Sequence, residues 1–116
     1  MRMGMIFIPA YRTGDGYPMV GWLVPLEGPQ RGQTFKLMMD TSTTIGRDAA
    51  AAVQIEDERV EDLHCRIESM PTGFVLHDGG SKAGTYINER RIDRHELVDN
   101  DVITIGRTPI KFKSIN

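Results

Sequence analysis

A single cysteine, Cys65, is all the chain carries, so no intrachain disulfide can staple it. An excess of either charge is also missing. Fourteen Lys and Arg against sixteen Asp and Glu leave a net charge of −2, which creates no overall field toward nucleic acid or an anionic membrane. Long apolar runs are absent. The greasiest stretch, MRMGMIFIPAY at the N-terminus, is short and is broken by Pro9, so it reads neither as a membrane span nor as a signal peptide. These absences point to a cytoplasmic protein. Helical patterning is scarce too. DAAAAV (48–53) is rich in the best helix former, but it is too short to nucleate alone and allows at most one turn capped by Asp48.

What is present is a succession of short β-favouring runs. MVGWLVPL (19–26), TFKLMM (34–39), TTIG (43–46), AVQI (52–55) and HCRIESM (64–70) come first. GFVLHD (73–78), TYIN (85–88), DVITIG (101–106) and PIKFKSI (109–115) follow. VITI and IKFKSI alternate apolar with other residues, as a half-buried strand requires. Connections such as EGPQRG, MPTG, HDGGSKAG and VDNDV carry the turn formers Gly, Pro, Asp and Asn. With 116 residues and 40% hydrophobic content, the pattern predicts one all-β domain, a sandwich or barrel. RIDRHELV (91–98) is read as holding a turn at most. Residues 1–18 stand apart as an N-terminal arm or extra strand ahead of a domain over 19–116. MGMIFI in it is too apolar for a solvated tail, and it either packs on the domain or reaches a partner subunit by strand addition.

No constellation for chemistry emerges. His64, Cys65, His77, Asp78 and His95 fit no common zinc spacing, and no cofactor is implied. HDGGSKAG is glycine-rich but lacks the Gly-Lys-Ser/Thr ending of a phosphate loop. Cys65 beside His64 has no oriented third partner, so a nucleophile is not expected. ERRIDRH (89–95) is a small basic cluster without interleaved aromatics to stack bases, so nucleic acid is not expected as a partner.

TIGRD (44–48), VEDLHCRI, HDGGSKAGTYINERRI, LVDNDVITIG and PIKF occur in an order and spacing that resemble a forkhead-associated (FHA) domain of bacterial type. The resemblance covers roughly residues 20–115. It implies a SMAD/FHA-like sandwich of about eleven strands in two antiparallel sheets, with recognition loops at one end and no catalysis. It also implies a phosphothreonine-peptide site in which Arg47 is the phosphate-binding arginine. Gly46, His64, Gly84, Thr85 and Asn88 match the residues that shape and brace the loops. Arg107, in the second TIGR, lies near a later strand end.

Other positions depart from the family pattern. The serine whose hydroxyl donates to the phosphate is Glu61 here, and the next peptide-contact position is Asp62. In the later loop Lys82 and Ala83 stand where Thr and Asn are common, so the asparagine amide is missing. A phosphothreonine carries about −2 charges, and one carboxylate at ~4–5 Å would cost on the order of several kcal/mol at an effective dielectric near 20. Glu61 is therefore expected to occupy Arg47 internally, in place of a ligand's phosphate. The expected function is a non-enzymatic interaction module that binds a protein or peptide partner, or itself through residues 1–18, without requiring phosphothreonine. The alternative is a phosphothreonine-dependent signalling adaptor that grips its peptide through Arg47 and Lys82.

Overall fold

The computed structural model describes residues 20–115, so the arm over 1–18 lies outside the described residues. Eleven strands run in order. They are β1 (Val20–Pro25), β2 (Phe35–Leu37), β3 (Ser42–Gly46), β4 (Val53–Gln54), β5 (Cys65–Met70) and β6 (Gly73–Asp78). Then follow β7 (Thr85–Ile87), β8 (Arg90–Ile92), β9 (Arg94–Glu96), β10 (Val102–Ile105) and β11 (Thr108–Ile115). They form a six-stranded sheet in the order β2-β1-β11-β10-β7-β8 and a five-stranded sheet in the order β4-β3-β5-β6-β9.

Two features differ from the sequence reading. The sheets are not wholly antiparallel: β3 and β4 pair in parallel, Ile45 with Val53 and Gly46 with Gln54. The segment between them curls through a turn in which Asp48 accepts from the N–H groups of Ala50 and Ala51, so the chain re-enters beside β3 in the same direction. The region read as a turn holds two strands, β8 and β9, which pair with β7 and β6.

Alternation decides the core. Along β11 every second residue from Thr108 to Phe112 is buried, and β10 buries Ile103 and Ile105 while Val102 and Thr104 face outward. Leu23, Ile45, Ile67, Leu76, Ile110 and Phe112 meet between the sheets, each essentially inaccessible. Burial of such side chains contributes about 1.5–3 kcal/mol apiece before entropy is counted. Phe74 and Phe112 meet edge to face at 5.8 Å across the interior. Trp22 lies on the outer face, half-buried between the cross-strand positions of Lys36 and Lys113.

Candidate functional site

Three connections converge at one end of the sandwich: β3–β4, β4–β5 and β6–β7. The convergence starts at Gly46, because a Cβ there would collide with the carbonyl of Asp62, so only glycine lets the two backbones pass. The contact continues as hydrogen bonds from Arg47 N–H to Glu61 C=O at 2.9 Å and from Asp48 N–H to Asp62 C=O at 3.4 Å.

His64 joins the second connection to the third. It is fully buried, and its Nδ1 accepts the N–H of Glu61 at 3.2 Å while Nε2 lies 2.8 Å from the carbonyl of Gly84. An N–H can only donate and a C=O only accept, so these partners assign the neutral tautomer protonated at Nε2. Gly84 has φ of +90°, a conformation that strains any other residue, and the Arg91 side chain lies across its face.

The expected Arg47–Glu61 ion pair does not form. The Glu61 Oε2 accepts the backbone N–H of Lys82 at 2.6 Å. Its own backbone is held on one side by the Arg47 amide and on the other by the His64 ring, which directs the side chain across the site to the β6–β7 loop. Arg47 faces Asp62 instead: Nε lies 4.0 Å from Oδ1, with the side chains 49% and 70% exposed. A contact that long and that wet is worth about 0–1 kcal/mol. Lys82 and Ala83 are exposed, and the Lys82 ammonium has no carboxylate within 4.0 Å among the described residues.

Few of the acids around the site are idle. Glu56 accepts from the Gln30 side chain at 2.8 Å, and Asp48 caps its own turn. Asp57 stitches the β4–β5 connection to the other sheet, accepting from Arg59 N–H at 2.9 Å, Arg107 N–H at 2.7 Å and the Thr108 hydroxyl at 2.9 Å. Partial burial pushes its carboxyl up, but these donors and the Arg59 charge outweigh that and hold it below the ordinary value. Arg107, the arginine of the second TIGR, thus meets the site through its backbone.

Asp78 organises the β6–β7 loop in the same way. It accepts from Gly80 N–H at 2.9 Å, Ser81 N–H at 3.1 Å, Ser81 Oγ at 2.5 Å and Thr85 Oγ1 at 2.7 Å. Burial raises its carboxyl, and those four donors win, leaving it below the usual range. Asn88 opens the β7–β8 turn at φ +47° and joins Asp101 and Val102, donating from Nδ2 at 3.1 Å and accepting at Oδ1 at 3.0 Å. Sequence reasoning gave Asp57, Asp78 and Asp101 no structural role. The signal available for the first two was an Asp followed two residues on by a turn amide, as in Asp57-Glu58-Arg59 and Asp78-Gly79-Gly80.

Cys65 is buried beneath this loop, and desolvation pushes its thiol up to about 12, which suits packing and not nucleophilic work. His77 pairs with Glu68 and His95 with Asp101, each at 3.0 Å, in separate places.

Residues 43–106 match the FHA domain family model. The oxoglutarate dehydrogenase inhibitor of Corynebacterium diphtheriae is 32% identical over 92 residues, covering 79% of this chain and 64% of that protein. The glycogen accumulation regulator GarA of Mycolicibacterium smegmatis is 31% identical over 90 residues, covering 78% and 56%. The chain therefore spans a little over half the length of these relatives. Among solved structures, the FhaA FHA domain complexed with the intracellular domain of Rv3910 superimposes with a TM-score of 0.73 at 29% identity, covering 80% of this chain and 99% of that one. An FHA domain from Arabidopsis thaliana gives 0.78 at 29%, covering 84% and 86%. The loop-end architecture, the family match and these relatives agree: the chain belongs to the FHA-domain family and is a protein-interaction module of that type.

Proposed function

We propose that this module binds its partner, or a second copy of itself, without requiring phosphothreonine. The reading rests on one observation, the Glu61 carboxylate seated on the Lys82 amide at 2.6 Å. A phosphoryl group arriving between Arg47 and that loop meets this carboxylate, and it meets Asp62 beside the arginine. Repulsion from either costs on the order of several kcal/mol before solvent screening, comparable to what one arginine supplies. The ligand surface is then the loop end as folded, with Arg47, Glu61, Asp62, Lys82 and Ala83 presented as side chains and Gly46, His64, Gly84, Thr85 and Asn88 holding them in place. The module does no chemistry of its own. It is proposed to work in the cytoplasm; among the described residues no helix is long and apolar enough to cross a membrane.

A second reading has its own support. Among the described residues, the half-exposed Arg47 side chain has no carboxylate nearer than 4.0 Å and the Lys82 ammonium has none within 4.0 Å. These two cations could grip a phosphothreonine once Glu61 swings away, making the chain a phosphorylation-dependent adaptor. Capture of partners from a cell lysate with and without phosphatase treatment separates the readings. Partners retained after phosphatase support the first. Partners lost after phosphatase, and lost equally with Arg47→Ala, establish the second.

A further inference from the structure

Beside the β6–β7 loop, on β8 and β9, the chain builds a second charged surface. Among the described residues, β8 and β9 are the terminal strands of the two sheets, each paired on one side only. Between them lies a cleft of about 620 Å³, walled by Arg90, Arg91, Arg94 and His95 with Ile87 and Ile92 among its lining residues. Its cations are incompletely neutralised. Arg90 and Arg91 have no carboxylate within 4.0 Å among the described residues, and Arg94 has only the exposed Glu96 at 3.6 Å. Arg91 is oriented without being neutralised, because its guanidinium donates to the carbonyls of Ser81 and Lys82 at 3.3 and 3.5 Å and packs over Gly84. The nearest buried acid, Asp101, is consumed by His95, the Asn88 amide and the Val98 N–H.

We propose that this cleft binds an acidic peptide segment in extended conformation. Arg90 and Arg94 on the two walls suit carboxylates, because each guanidinium offers a planar pair of donors. An extended peptide also suits the two sheet edges, where backbone donors and acceptors lack a second strand and strand addition supplies one. Carboxylates at alternate positions of such a strand project on one face about 6.5–7 Å apart, matching a wall of side chains on neighbouring strands. Nucleic acid fits less well, since no lining side chain is aromatic and bases would have nothing to stack on.

The probe is a fluorescent octapeptide alternating Glu with Thr, followed by anisotropy against the full chain. An otherwise identical Lys–Thr peptide, inorganic phosphate and a single-stranded oligonucleotide complete the set. The expected result is saturable binding of the Glu peptide alone, weakened at least about tenfold by Arg90→Gln with Arg94→Gln and abolished by Arg90→Glu with Arg94→Glu. Affinity also falls as salt rises. Both positions are exposed, so unchanged thermal midpoints verify folding. The proposal is overturned by no saturable binding of the Glu peptide, by equal affinity in both double variants, or by an oligonucleotide or phosphate that binds as tightly.

Discussion

Glu61 and Lys82, 21 residues apart and on different connections, are joined by a single short hydrogen bond from the Lys82 amide to the Glu61 carboxylate at 2.6 Å. It closes the β4–β5 loop against the β6–β7 loop, as the buried His64 bridge also does. Recognition modules of this architecture depend on the mutual position of such loops, so the bond is both a structural tie and an occupant of an anion-accepting amide.

The His64 bridge should carry more stability than the Glu61 tie. His64→Ala removes a fully buried ring and strands the Gly84 carbonyl and the Glu61 N–H, at a cost of about 2–4 kcal/mol. Urea unfolding reads the loss directly. Amide exchange should accelerate at Glu61 more than in β10 and β11; a uniform change across the sheets would contradict a local bridging role.

Two glycine substitutions should differ for reasons visible in the backbone. Gly46→Ala drives a methyl into the Asp62 carbonyl, where hydrogen bonds hold the two backbones together, and should cost at least about 2–3 kcal/mol or prevent folding. Gly80→Ala meets nothing within 4 Å and suffers only from its φ of +82°, a penalty of about 1–2 kcal/mol. Comparable midpoints for the two variants would refute the close-approach argument.

Acid should loosen the loop end. Asp57 and Asp78 are held below the ordinary carboxylate range in the fold. A depressed folded value means the stabilisation is fully present above the unfolded value of about 3.9 and is lost as pH falls through the folded one. Denaturant midpoints should therefore drop below about pH 4. Asp57→Asn should flatten part of that acid limb while lowering stability at neutral pH. An acid limb of undiminished steepness in Asp57→Asn would remove Asp57 from the explanation.

Cys65 should be silent toward thiol reagents in the native protein. With the thiol near 12 and the side chain buried, its thiolate population at pH 8 is roughly three orders of magnitude below that of an exposed cysteine. Labelling should track unfolding by denaturant. Rapid labelling under native conditions would show that the loop above it opens readily.

The sandwich was legible because its central strands alternate cleanly and its turns carry Gly, Asp and Asn. What escaped were elements made by tertiary contact. β8 and β9 are three residues each, and Arg90-Arg91-Ile92 and Arg94-His95-Glu96 show no apolar alternation, so only pairing with β7 and β6 makes them strands. The parallel β3–β4 pair is two residues long and has no periodic signature. At the site, the composition of the loops was readable but the aim of Glu61 was not. Its direction follows from two backbone restraints, the Arg47 amide and the His64 ring, that lie far apart or hidden in the chain. Nor did the residues 56–59 reveal that the Asp57 oxygens are taken, one by the Arg59 N–H and the other by Arg107 and Thr108 at the start of β11.

In the proposed function, a built-in carboxylate takes an anion's place between the loops. Calorimetric titration of a phosphothreonine peptide library into the native chain and into Glu61→Ser with Ala83→Asn tests it most directly. The account predicts negligible heat with the native chain and binding at least about tenfold tighter in the double variant. Native affinity equal to that of the variant would contradict it.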